Sequence, residues 1–178
     1  MTAVPPDPAA AGAGLYTTRP ATPADAPAIA GIYNQGIVDR VATFETEPRS
    51  PEDIAAWFTS GRLIIMAEGA QGVVAFTASF PYSARPCYAG INEFSVYVAR
   101  DCRGTGAGRA VLGALIEAAS AHGLHKLTSR VFPENTASRS LLKRLGFDEI
   151  GIHRRHGKLD GVWRDCVIVE LLIGDAAR

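Results

Sequence analysis

The run EFSVYVARDCRGTGAGRAVLGALIEAA, Glu93 to Ala119, constrains the fold of this chain more than any other. It begins as an apolar strand, passes through a basic, glycine-rich turn and continues as a helix with Val111, Leu112, Leu115 and Ile116 at helical spacing. A strand feeding directly into a helix needs a sheet to join and a helical layer to cover it, so an α/β or α+β arrangement is expected. The turn also aims several backbone N–H groups and a helix N-terminus at one point, which suits phosphate oxygens. Glycine lets such a ligand approach the backbone closely. A tight strand-to-helix connection with no ligand would use the same residues.

Two familiar phosphate-binding patterns fail on spacing. The dinucleotide pattern G-x-G-x-x-G, begun at Gly104, would need glycine where Arg109 stands, and the P-loop pattern would need a Gly-Lys pair that the turn lacks. The spacing present is R-x-x-G-x-G, carried by Arg103, Gly106 and Gly108.

The rest of the chain reads as alternating strands and helices. A short strand is expected over Leu15 to Arg19, then a helix opened by Thr22, Pro23 and Asp25, and a second opened by Ser50, Pro51 and Asp53 at the same offsets. The runs RLIIMAE and GVVAFTASF form an antiparallel hairpin across GAQG, followed by the loop PYSARPCYAGIN. Beyond the strand from Glu93 to Val98 and the helix from Gly108 to Ala121, HKLTSRVF is a strand and NTASRSLLKRLGF a helix ending at Gly146. Two final strands flank a Gly-Lys-Leu-Asp-Gly turn. One domain over residues 15–173 is expected, preceded by a disordered tail over residues 1–14.

Bulk properties narrow the partners. Lysine plus arginine and aspartate plus glutamate both number 18, so no net field favours nucleic acid or an anionic membrane. Apolar runs are too short for a bilayer span, and the N-terminal MTAVPPDPAAAGAG has no signal-peptide pattern, so a cytoplasmic protein is expected. Cys87, Cys102 and Cys166 read as free thiols. The histidines His122, His125, His153 and His156 lack metal-ligand spacing and read as structural or surface groups, with no metal expected.

The Arg103, Gly106, Gly108 spacing resembles the pyrophosphate-binding motif of the GNAT family of acyl-CoA-dependent N-acyltransferases, and the order of elements from Arg19 to about Leu172 matches that fold. RVFPENTASRSLLKRLGF resembles the family's strand-to-helix segment. VATFETEP, FPYSARPCYAG, INEFSVYV and HRRHGKLDGVWRD are most similar to the phosphinothricin and arsinothricin N-acetyltransferases, bacterial enzymes that acetylate the α-amine of glutamate-like antimetabolites. The resemblance implies acetyl-CoA as co-substrate, contacted by Val96, Tyr97 and Val98 of the strand and by Asn135 of the later segment. It places the pyrophosphate on Arg103, Gly104, Thr105 and Gly106, with Ala107, Gly108 and Arg109 at the helix start. It makes Glu93 the general base that frees the substrate amine, directly or through water.

By the same resemblance, Arg85 and Tyr88 receive a small acidic amino acid substrate, Phe44 walls the pocket, and the HRRHGKLDG hairpin completes the neighbouring pocket of a homodimer. One position departs from the pattern. Where relatives carry a tyrosine or histidine that protonates the departing thiolate, this chain has Leu142. A thiolate, with a pKa of about 8.5, can leave unprotonated, but the departure makes arsinothricin the expected substrate ahead of phosphinothricin. Two alternatives stand beside this reading: a protein N-terminal acetyltransferase, and an acyl-CoA-binding protein without catalysis.

Overall fold

The computed structural model describes residues 15–177, so the tail expected over residues 1–14 lies outside the described residues. In chain order the elements are β1 (Thr17–Pro20), α1 (Ala26–Asp39), α2 (Pro51–Ala55), β2 (Leu63–Gly69), β3 (Gly72–Pro81) and β4 (Ile91–Val98). They continue with α3 (Ala107–Ala121), β5 (Lys126–Val131), α4 (Thr136–Arg144), β6 (Asp148–Leu159) and β7 (Val162–Leu172). The strands form one sheet in the order β1-β2-β3-β4-β5-β7-β6. Only β4 and β5 run parallel, as the intervening α3 crossover requires. This is the expected mixed sheet with helices in a single domain, the GNAT fold.

Local chemistry explains the helix ends. Ser50 Oγ accepts the Asp53 N–H at 3.2 Å and the Asp53 carboxylate accepts the Ser50 N–H at 2.9 Å, a reciprocal cap that starts α2. At the end of α4 the N–H of Phe147 donates to Leu142 O at 3.1 Å and that of Gly146 to Lys143 O at 3.1 Å. This double closure needs a left-handed residue, and Gly146 supplies it with φ 88°.

Three departures from the sequence expectation bear on the site. β4 begins at Ile91, two residues before Glu93, because Ile91 and Asn92 already pair with β5. The last hairpin turns on Asp160 and Gly161 alone, with φ of 49° and 80°, so Gly157 to Leu159 belong to β6. Within β6, the three residues Arg154 to His156 stand opposite the single Asp165 of β7, between the pairs His153–Cys166 and Gly157–Arg164, and the extra length forms a bulge with Arg155 at φ 48°.

Two apolar layers cover the sheet. On one face α3 and α4 bury Val111, Leu112, Leu115 and Leu142 against Phe94, Leu127 and Val169. On the other, α1 and α2 bury Ile29, Tyr33 and Ile54 against Met66, Phe76 and Tyr97. Gly36 lets α1 reach the sheet, since a Cβ there would lie 2.8 Å from the Tyr97 ring. Cys87, Cys102 and Cys166 are free thiols, exposed, half-buried and buried in turn. Among the described residues no helix is long and apolar enough to cross a membrane.

Parallel pairing of β4 with β5 stops at Glu93 and Thr128. β4 runs on to Val98 against β3, while β5 runs on to Val131 against β7. The two strands therefore part in the middle of the sheet.

Candidate active site

The parting strands leave a small cleft of about 50 Å³, lined by Phe94 to Tyr97 of β4, Ser129 to Val131 of β5, and Phe132, Asn135 and Leu142 beyond them. Main-chain groups on a strand alternate sides. The Ala99 N–H donates to β3 at Val74 O, 2.8 Å, whereas Phe94 O points the other way and accepts from Ser129 Oγ at 2.7 Å. By that alternation Phe94, Val96 and Val98 turn their main-chain groups toward the cleft. Phe94 O is taken by Ser129, and Val98 O accepts from Arg103 Nε at 3.2 Å. Val96 lies between them in the lining of the cleft, where a bound chain can pair with it as a further strand would. Tyr97 faces away: its main chain turns to β3, and its ring is buried against Phe76 and Tyr33 at 5.4 and 4.7 Å.

At the end of β4 the chain makes the glycine-rich turn into α3. Gly104 and Gly106 have φ of 77° and 97°, a backbone that side chains other than glycine rarely adopt. Gly108 does a different job: a Cβ there would meet Leu141 at 3.1 Å and Val98 at 3.3 Å, so it lets α3 approach α4 and β4. No side chain of the described residues caps α3, and the amides from Gly106 through Arg109 form its first turn. Left-handed glycines followed by an uncapped helix start fit a pyrophosphate. Thr105 is braced rather than loose, its Oγ1 donating to Cys102 O and standing 2.5 Å from Tyr16 Oη. Arg103 is braced too, with Nη1 2.7 Å from Asp39 Oδ2, while Arg100 Nη2 donates to Asp39 Oδ1 at 2.6 Å. Desolvation works against the Asp39 carboxylate, yet the two arginines together hold its pKa below the usual range.

The other end of the cleft is polar and already paired. Glu93 Oε1 accepts from Arg130 Nη2, and Arg130 Nη1 stands 3.3 Å from His156 Nε2. The hydrogen bond that Arg130 donates to Glu93 is the main reason its pKa is raised. His156 stacks on His153 with ring centroids 4.7 Å apart. Desolvation, then the neighbouring His153 and Arg130, hold the His156 pKa below its ordinary value, so the ring is neutral at pH 7. Phe44 closes this end, edge-on to Phe132 at 4.9 Å. Gly157 admits it, since a Cβ there would lie 2.8 Å from Phe44 Cε1.

The remaining sequence-predicted residues take distinct places. Arg85 and Tyr88 sit exposed in the loop before β4, the guanidinium 5.5 Å from the Tyr88 ring centre and Tyr88 edge-on to Tyr82 at 5.8 Å. Asn135 caps α4 through Oδ1, which accepts the Ser138 N–H at 3.1 Å, and its Nδ2 donates to Val41 O at 3.1 Å. That second bond ties the Phe44 loop to the cleft. Leu142 is buried and apolar at the cleft floor. A larger open groove of about 400 Å³ runs along the outer side of α4, where Arg139 pairs with Glu149; it holds neither the glycine-rich turn nor Glu93.

Arg130 and Asp39 were not foreseen from the sequence. Arg130 stands two residues beyond Thr128, the register partner of Glu93, so only the β4–β5 pairing puts the two side chains on one face. Asp39 reaches the turn from the end of α1, far away in sequence.

The arrangement offers the amides of a helix start without a side-chain cap at one end of a strand and a carboxylate at the other. Comparison with known proteins agrees. Residues 17–148 match the model of the Acetyltransferase (GNAT) domain. An L-methionine sulfoximine/L-methionine sulfone acetyltransferase of Pseudomonas aeruginosa is 36% identical over 161 residues, 86% of this chain and 92% of that protein. A crystal structure of a ribosomal-protein-alanine N-acetyltransferase from Brucella melitensis superposes with a TM-score of 0.84 at 30% identity, over 88% of this chain and 99% of that one. A GNAT superfamily phosphinothricin acetyltransferase from Sinorhizobium meliloti in complex with acetyl-CoA superposes at 0.84 with 27% identity, over 91% of this chain and 90% of that one.

Proposed function

This chain belongs to the GNAT acetyltransferase family, an acetyl-CoA-dependent acyltransferase, and on that footing we propose that it acetylates the α-amine of a small, acidic amino acid analogue. The observation that carries the reading is Glu93, a carboxylate held where β4 and β5 part, one strand length from the uncapped start of α3. Acetyl-CoA supplies an activated acetyl group. The first turn of α3 and the amides of Gly104 to Gly106 receive its pyrophosphate, and the Val96 main chain in the split receives the arm that leads toward Glu93.

An amine is nucleophilic only as the free base, and near neutral pH an α-amine is largely protonated. Glu93, directly or through one water, takes that proton first; the freed nitrogen then bonds to the acetyl carbon, the carbon–sulfur bond breaks, and the second nitrogen proton passes to solvent as the thiolate departs. Leu142 offers no proton, so the sulfur leaves as thiolate, which its pKa of about 8.5 permits. Arg85, exposed beside Tyr88 in the loop before β4, grips the acidic far end of the substrate. Phosphinothricin and arsinothricin have the required shape, and arsinothricin is the preferred one where Leu142 replaces a proton donor.

Assembly as a homodimer through the β6–β7 hairpin belongs to the same reading. Its support is the apolar surface that Ile150 and Ile152 of the edge strand β6, with Val162 and Trp163 of its neighbour β7, leave 52–58% exposed.

A second reading, acetylation of a protein N-terminus, is favoured by the likeness to the Brucella melitensis structure. Release of coenzyme thiol, with the N-acetylated product identified by mass spectrometry, separates the two. The proposal expects turnover with phosphinothricin or arsinothricin and none with alanine-initiated peptides; the converse result overturns it.

A further inference from the structure

Arg130 is a charged group lining the cleft that no motif accounts for. Its side chain leaves β5 on the same face as Glu93, is 41% exposed, and bonds Glu93 through Nη2 while Nη1 faces His156. An amine that reaches Glu93 therefore arrives beside a guanidinium touching the same carboxylate. An α-amino acid carries its carboxylate on the carbon that bears the amine, so its reacting end is a fixed pair of opposite charges. That pair complements the pair on the protein.

We propose that Glu93 and Arg130 together form a receptor for the zwitterionic end of an α-amino acid, Arg130 binding the α-carboxylate while Glu93 holds the amine to be acetylated. This rests on the proposed N-acetylation of an amino acid analogue and deepens it by naming the group that must sit beside the amine. In the free protein each charge satisfies the other; with substrate bound, one ion pair is replaced by two, and no charge is left alone in the cleft. A guanidinium suits the task because its planar fork offers parallel N–H groups to a carboxylate. The neutral His156 ring accepts from the far side and holds that fork in orientation. Arg85 remains for the acidic side chain, so two arginines serve two acids. A peptide N-terminus has an amide at this position and a simple amine has nothing, and both should be rejected.

The test is steady-state kinetics of the full chain with acetyl-CoA, comparing phosphinothricin with its α-carboxamide. The amide's amine is the weaker base, so intrinsic reactivity at neutral pH favours the amide and any preference for the acid comes from the protein. The acid should exceed the amide in kcat/KM by about ten- to a hundredfold, the scale of a charge-assisted hydrogen bond. Arg130→Met should bring the ratio near one, chiefly through KM, and Arg130→Lys should restore part of it. A wild-type ratio near one, or an unchanged ratio in Arg130→Met, overturns the role of Arg130 while leaving amino acid acetylation standing. Failure of both compounds to be acetylated overturns the amino acid reading and this inference with it. Should Arg130→Met not fold, the wild-type ratio and Arg130→Lys decide the matter.

Discussion

The two ends of β4 solve opposite problems. At its C-terminal end the chain leaves donors open: Gly104 and Gly106 turn left-handed, α3 starts without a side-chain cap, and Arg103 is held aside by Asp39. At its other end the polar groups are already engaged, because Arg130 bonds both Glu93 and His156. Exposed amides can wait in water at little cost, whereas a half-buried carboxylate and guanidinium keep a partner until a better one arrives. On the proposed reading the cofactor end is preformed and the substrate end works by exchanging partners.

The largest expected effect tests whether the two ends are separable. Glu93→Gln should lower kcat by about 10² to 10⁴ at pH 7, the usual loss for a removed general base. The defect should shrink as pH rises and more amine is free, and acetyl-CoA affinity by calorimetry should stay unchanged. A parallel loss of acetyl-CoA binding would break the comparison.

Next in size is the acid-gripping loop. Arg85→Ala should raise KM for phosphinothricin tens-fold, corresponding to about 1.5–3 kcal/mol for a charge-assisted hydrogen bond, with Arg85→Lys recovering only part. An unchanged KM would remove Arg85 from the substrate end.

At the cofactor end, Gly106→Val forces a branched side chain into φ 97° and should weaken acetyl-CoA binding by about tenfold, from strain on the order of 1–3 kcal/mol. Turnover at saturating acetyl-CoA should change little. Unaltered affinity by calorimetry would move the pyrophosphate elsewhere.

The smallest effect is one of pH. Because desolvation, His153 and Arg130 hold His156 below its ordinary pKa, its charging is displaced toward lower pH. Once charged it faces Arg130 as a like charge, and KM should rise by less than tenfold, since such an exposed contact is worth about 1 kcal/mol. His156→Gln should flatten that rise. An acid limb identical in both proteins would dismiss the histidine.

These two ends were unequally visible in the sequence. The cofactor end is local: strand, Arg103, Gly106, Gly108 and helix follow one another within a single run, so the strand–turn–helix order was legible there, while the phosphate site followed from the family resemblance rather than from spacing alone. The jobs of the glycines were not legible, because Gly108 serves contacts with Leu141 and Val98 that only the packed structure creates. The substrate end is assembled from distant pieces. Glu93 stood out only through the family resemblance, since a strand-end glutamate read alone is most often solvated; Arg130 joins it through strand pairing, His156 through a bulge that no turn residue announces, and Phe44 through a loop tied down by Asn135. The same nonlocality hid the start of β4, since Ile91 and Asn92 follow prolines and a glycine yet pair with β5.

The measurement that bears most directly on the account is kcat/KM for arsinothricin, phosphinothricin and methionine under one set of conditions. A substrate end built around acid recognition predicts both acidic analogues above methionine by about tenfold or more, with arsinothricin ahead of phosphinothricin. Equal values for all three would contradict it, leaving an acetyltransferase whose cleft does not read the acid.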